Sequence, residues 1–179
     1  MSPWIARLLG YVGIRLVDRL LDRAQPPGNS VDADIIGGAE APRGGEMTES
    51  RWQYFTVEEL QCRGTNCCGG QMHMDDEFMR HVVALRRELG FPFIVTSAYR
   101  CPAHNAVVSS TGASGVHTLG VAIDIKVSGL NAMRLAEAAL SSHAFTGIGI
   151  NQKGPMGQRF IHLDSATPEQ APRPTIFSY

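Results

Sequence analysis

The stretch from Gln25 to Ser50, QPPGNSVDADIIGGAEAPRGGEMTES, carries Pro26, Pro27, Pro42, Gly37, Gly38, Gly44 and Gly45 and almost no apolar period. Proline and glycine at this density interrupt helical and strand repeats alike, and a segment without periodic apolar residues has no face to bury. It reads as a flexible linker over 25–50, and it divides the chain. Any folded core must therefore come from residues 51–179, about 130 residues, which is enough for one real core. The 19 Gly and 10 Pro among 179 residues exceed the usual share, and much of that excess belongs to the linker.

Ahead of the linker, residues 1–24 place Ile5, Leu8, Leu9, Val12, Leu16 and Leu20 at helical spacing, with Arg7, Arg15, Asp18 and Asp22 on the other side. This is the pattern of an amphipathic helix. Its longest charge-free run, Leu8 to Ile14, is seven residues, whereas a membrane span needs roughly 20. Arg15, Asp18 and Arg19 also break what would be the apolar heart of a secretory signal, so no signal peptide is expected. Two readings stand: a helix that contacts a membrane surface or a partner such as a virion component, or one that packs on its own domain. Sixteen Lys plus Arg against seventeen Asp plus Glu give a net charge of -1, so no basic field draws nucleic acid and none is expected as a partner.

Within 51–179, Asp75, Asp76 and Glu77 precede Phe78, Val82, Leu85 and Leu89, and Gly90 follows. Acidic first-turn residues, an apolar stripe and a closing glycine predict a helix over 75–89. Phe93–Thr96 is a short β-branched strand, broken after Arg100 by Pro102. In Val121–Val127 the odd positions are aliphatic and the even ones are Ala122, Asp124 and Lys126, so Asp124 lies on the face opposite the aliphatic one. A helix over 131–140 and strands over 146–150 and 159–163 follow. Helices and strands without a regular βαβ alternation indicate an α+β domain with a small antiparallel or mixed sheet and flanking helices.

Two of the six histidines stand near carboxylates in telling places. His117 lies in a loop seven residues before Asp124, with a Gly120 turn between them. His162, in RFIHLD, alternates with Ile161 and Leu163 and so shares a face with Phe160 and Asp164. Two imidazoles and one carboxylate on adjacent strands make a three-ligand set that leaves zinc a fourth position for water. The alternative on spacing alone is a pair of structural histidines.

The strings TSAYRCPAHN (96–105), SGVHTLGVAID (114–124), GIGI (147–150), FIHLD (160–164) and RPTIFSY (173–179) together resemble the zinc D-Ala-D-Ala carboxypeptidase-like peptidases of bacteria and phages. That group includes D,D-carboxypeptidases, D,D-dipeptidases, phage L-alanyl-D-glutamate endopeptidases and, in fold, the hedgehog signalling domain. The resemblance spans Tyr54 to Tyr179 and implies a hedgehog-like zinc fold. It implies one zinc ion held by His117, Asp124 and His162, and a Ser97-x-Tyr99-Arg100 turn in which Arg100 holds a substrate carboxylate or carbonyl. The family's serine two residues before the first zinc histidine is here Gly115, with Ser114 one place earlier. Ser97, Arg100 and Ser114 are thus the implied substrate contacts. Better-known members supply an acidic general base three residues before the last histidine, where this chain has Arg159. Asp164 is the remaining candidate for that base; its other role would be to accept a hydrogen bond from a ligand imidazole.

The activity implied is zinc-assisted hydrolysis of peptidoglycan stem peptides, by a D,D-carboxypeptidase or a murein endopeptidase. Activity should fall below about pH 6 as the histidines protonate. A phage or prophage setting is natural, with the protein held in the host cytoplasm until lysis or carried on a virion. The reading from another class is a non-catalytic, zinc-stabilised module that binds wall peptides or builds a virion. Cys62, Cys67 and Cys68 fall within seven residues, and Cys101 follows Arg100. A disulfide from Cys101 to the cluster, free buried thiols, or a metal site without the usual paired C-x2-C spacing are the three readings.

Overall fold

Alternation of aliphatic and polar residues decides the architecture. Strand β2 (Ala122–Lys126) has its first four residues buried, because Ile123 and Ile125 face a helical layer while Ala122 and Asp124 face a second, polar layer. The computed structural model describes residues 51–179; the helix expected over 1–24 and the linker over 25–50 lie outside the described residues. Strands β1 (Ile94–Ser97), β3 (Gly147–Asn151), β4 (Phe160–Asp164) and β5 (Thr175–Ser178) complete a five-stranded sheet of order β1-β2-β4-β3-β5. The first three pairings are antiparallel and β5 joins β3 in parallel, so the sheet is mixed. The α+β arrangement expected from the sequence is the one observed.

Helix α2 (Asp76–Leu89) follows α1 (Val57–Leu60), a single turn closed by a Thr56/Glu59 capping box. The Asp75 carboxylate accepts the Phe78 N–H at 2.8 Å, and Gly90 ends α2 at φ 70°, a left-handed position that glycine takes without cost. Phe78, Val82 and Leu85 from α2 and Leu135 from α4 (Gly129–Ser142) pack on Ile123, Ile125, Ile148, Ile161 and Leu163 of the sheet. Each such side chain, fully buried, contributes roughly 1.5–3 kcal/mol.

The expected elements form within two residues of their anticipated ends. Helix α3 (Pro102–Val108) was not expected, since Pro102 reads as a break after β1. Proline is tolerated in a first turn, where its missing N–H has no partner to lose, and the Cys101 sulfur caps this helix by accepting from the His104 N–H at 3.4 Å. Strand β5 was likewise unforeseen: four residues behind Pro172 and Pro174 carry no usable period, and its pairing with β3 is long-range.

Replacing the Asp75 cap by alanine leaves the Phe78 N–H without its acceptor, and Asp75→Ala is expected to cost about 1 kcal/mol. Urea unfolding followed by circular dichroism checks this, and an unchanged midpoint would refute it.

Candidate metal centre

The register of β2 against β4 sets Asp124 opposite His162 and Ala122 opposite Asp164. On its other side β4 meets β3, where His162 faces Gly149 and Asp164 faces Gly147. The isoleucines of GIGI point into the core and the glycines toward the polar face. A Cβ on Gly147 would collide with the Asp164 carboxylate and the Arg173 guanidinium, and one on Gly149 would lie 2.6 Å from the Phe177 ring. Glycine is required at both positions because other side chains already fill the space a methyl would need.

His117 arrives from the loop before β2. Gly120, at φ 75°, lets this loop pass so close to the His73 carbonyl that a Cβ would strike it, and the Gly120 carbonyl accepts from the Asp75 N–H at 3.0 Å. The His117 Nδ1 lies 2.7 Å from the Ala98 carbonyl oxygen. A carbonyl only accepts, so Nδ1 carries the proton and Nε2 presents its lone pair toward Asp124 Oδ2, 3.5 Å away. His162 places Nδ1 2.7 Å from Asp124 Oδ1 and Nε2 2.9 Å from Asp164 Oδ2.

Asp164 is fully buried and both its oxygens are engaged. Arg173 donates through Nε at 2.9 and 3.1 Å and through Nη2 at 2.6 Å, and the Ala166 N–H donates at 3.1 Å. In the sequence Arg173 is marked by its place between Pro172 and Pro174 at the head of RPTIFSY, and neither feature points to a carboxylate partner.

Burial and charge divide the titrations. Burial depresses His117 below the usual imidazole range, outweighing the pull of Asp124, so it stays neutral near pH 7. At His162 burial acts the same way, but hydrogen bonds to Asp124 and Asp164 win and raise it. Burial raises Asp124, yet the two imidazoles beside it, His117 and His162, hold its carboxyl well below the usual range. Asp164 meets the same burial and is drawn down to about 2 by His162 and Arg173.

These residues fit a zinc ion. The ligand atoms of His117, Asp124 and His162 all lie within 4.8 Å of one another and all three side chains are buried. His117 offers Nε2 because Ala98 fixes its tautomer. His162 offers Nδ1 once its Nε2–H is given to Asp164, the carboxylate–imidazole support that orients and strengthens a ligand.

A cavity of about 900 Å³ opens over this group, its walls including Ser97, Arg100, Asn105, Arg173, Phe177 and Tyr179. Arg100 donates to Ser97 Oγ at 2.8 Å and to Asp124 Oδ2 at 2.9 Å, so Ser97 holds the guanidinium in place. Ser114 is exposed and stands outside the cavity lining. Gly115 is packed so that a Cβ would sit 2.5 Å from Thr111 Oγ1. Asn105, which carries no signal of its own in the sequence, is buried and donates to Thr111 Oγ1 at 3.0 Å and to the Gly112 carbonyl at 2.7 Å, fixing the loop that leads to His117. Arg159 turns away, its Nε donating to the Gly154 carbonyl at 2.9 Å. Burial, then the negative charge of Asp124, raise the Tyr179 phenol to about 12, which keeps it protonated.

All four cysteines are free thiols in this structure, with Cys62 Sγ and Cys67 Sγ 3.8 Å apart, against about 2.05 Å for a bonded pair. At Cys62, burial is outweighed by hydrogen bonds from Cys101, Gly64 and His104, which bring the thiol down to about 6.

A family model described as Peptidase M15 matches residues 53–164. No curated protein matches the sequence. The matched span includes His117, Asp124, His162 and Asp164 and stops short of Arg173 and β5.

The Asp164 carboxyl, at about 2 in the fold against an ordinary 3.8, contributes stability that is present above pH 4 or so and is lost as pH falls through the lower value. In the metal-free protein, Asp164→Asn should cost about 2 kcal/mol at pH 7 and much less at acid pH. Urea unfolding of both proteins at the two ends of that interval tests this. Equal penalties at both ends would show that ionisation of Asp164 stabilises nothing.

Proposed function

Since this chain belongs to the Peptidase M15 family, whose members are zinc-dependent metallopeptidases, we propose that it hydrolyses the stem peptides of peptidoglycan, as a D,D-carboxypeptidase or a murein endopeptidase. The observation that carries this reading is the convergence of His117 Nε2, Asp124 and His162 Nδ1 beneath an open cavity with Arg100 at its wall. A cleft of this size takes a short peptide rather than a folded protein. The planar, permanently charged fork of Arg100 suits a peptide carboxylate or a carbonyl oxygen.

Bound zinc would lower the pKa of water toward about 7 and polarise the scissile carbonyl. The chain supplies the rest. His117 stays neutral through burial and is aimed by Ala98. Arg100, steadied by Ser97, orients the substrate, and the protonated Tyr179 phenol stands at the rim as a hydrogen-bond donor. Asp164 acts by positioning His162: with Arg173, His162 and the Ala166 N–H on its two oxygens, it has no free lone pair turned to the cavity.

The same observation favours a second reading. Among the described residues lining the cavity, Asp124 is the one carboxylate, and it is committed as a ligand. A zinc-stabilised module that binds wall peptides without cutting them fits that wall. For the helix expected over 1–24, we propose docking to a membrane surface or a virion partner, in keeping with a phage or prophage lysis protein.

The test is turnover of purified peptidoglycan in the presence of zinc. The wild type should release peptides or terminal D-alanine. His162→Ala should abolish turnover, and Arg100→Ala should chiefly raise KM. Asp164→Asn should weaken zinc by about 10–100-fold while recovering most turnover at saturating zinc. Persistent loss at saturating zinc would instead make Asp164 the proton acceptor. A wild type that binds zinc and wall peptide without turnover would leave the binding module.

Zinc must displace the proton that His162 Nδ1 holds against Asp124, so its affinity should fall as pH drops through the raised His162 value. Zinc titrations across pH should show this decline starting above the ordinary imidazole value of about 6.5. In Asp164→Asn, which lacks one of the two raising contacts, the decline should start at lower pH. Coincident pH profiles for the two proteins would refute that coupling.

A further inference from the structure

We infer that Cys62, Cys67, Cys68 and Cys101 form a second metal site, a structural zinc held by four thiolates and separate from the His117–Asp124–His162 centre. The four Sγ atoms all lie within 4.8 Å of one another. Cys62 to Cys67 and Cys67 to Cys68 each measure 3.8 Å. A regular tetrahedron of sulfurs about 2.3 Å from zinc has edges of about 3.8 Å. Those separations match a ligand shell and exceed a disulfide bond by nearly a factor of two.

The backbone is built to bring the sulfurs together. Cys62 follows α1, Cys101 caps α3, and the loop between Cys62 and Met72 curls back through Asn66, Gly69 and Gly70 at φ 56°, 66° and 78°. That curl turns adjacent residues Cys67 and Cys68 toward one point, which a regular strand cannot do. Gly64 lets the loop close: a Cβ there would stand 2.7 Å from both Cys67 Sγ and the His104 ring. Donors surround the sulfurs as they do around metal thiolates. The Cys101 N–H lies 3.3 Å from Cys62 Sγ, the His104 N–H 3.4 Å from Cys101 Sγ, and His104 Nδ1 3.3 Å from Cys62 Sγ. Loading requires loss of the thiol protons, including the one Cys67 now gives to the Gly64 carbonyl at 3.3 Å.

The position gives the site a purpose. Cys101 is bonded directly to Arg100, and the Tyr99 N–H donates to the Leu60 carbonyl at 3.1 Å, so a metal here would clamp the Arg100 turn to the α1 loop. With a chain of this size, such a tie also steadies the sheet edge, because β1 ends at Ser97.

The test is metal analysis of the full-length chain purified with reductant. The wild type should carry two zinc ions and His162→Ala one. A thiol-specific mercurial should release the ion that His162→Ala retains. Cobalt substituted into that variant should show the near-ultraviolet charge-transfer absorption of thiolate ligands, absent after Cys62→Ser with Cys101→Ser. Should the cysteine variant fail to fold, release of one of two zinc ions from the wild type by the mercurial decides the matter. Four freely reactive thiols with no zinc in His162→Ala, or an unreduced mass showing disulfides, would overturn the inference.

Discussion

Everything at the polar face depends on one cross-strand pair, Asp124 on β2 and His162 on β4, joined at 2.7 Å between Oδ1 and Nδ1. Both side chains are buried, and an ionised carboxylate removed from water is costly unless its partners replace the lost hydration. Here they do: His162 and Arg100 donate to Asp124, and Asp164 with Arg173 balances the far side of His162. Removing any one partner would leave the others with a desolvation cost that nothing offsets. The arrangement is therefore a structural constraint on how β2, β4 and β5 come together, and its donor set is one that fits a metal ion.

That constraint reaches outward through two arginines with different tasks. Arg100 is anchored by Ser97 and lies in the cavity wall, with one Nη on Asp124. Arg173 spends its fork on Asp164, and its aliphatic and planar surface covers Phe177 at 5.4 Å. His162 is thus held by a chain of contacts running through Asp164 to Arg173, and that last residue lies outside the span matched by the family model.

Much of the fold was legible because its strands alternate cleanly. Ile123 and Ile125 against Asp124, and Ile161 and Leu163 against His162, assign each side chain to a face once the strand is recognised. Asp75 and Gly90 marked both ends of α2 for local chemical reasons, and the helix forms between them. Helix α3 escaped because proline serves equally as a breaker and as a first-turn residue, and the choice depends on whether Cys101 has room to cap. Strand β5 escaped because a parallel pairing with β3 is decided by distant residues.

The sequence by itself determined which faces of the strands carry His162, Asp124 and Asp164 and where the helix over 75–89 starts and stops, since these follow from period and local capping alone. Only the tertiary structure decided which partners the remaining residues meet. Arg173, nine residues on from Asp164, donates to both of its oxygens, a contact that no spacing in the sequence announces. The cysteines, without any paired spacing, converge only because the α1 loop and the α3 cap are folded onto one another. Hydrogen-bond partners and thiolate shells are properties of through-space distance, and distance between residues far apart in sequence is set by packing.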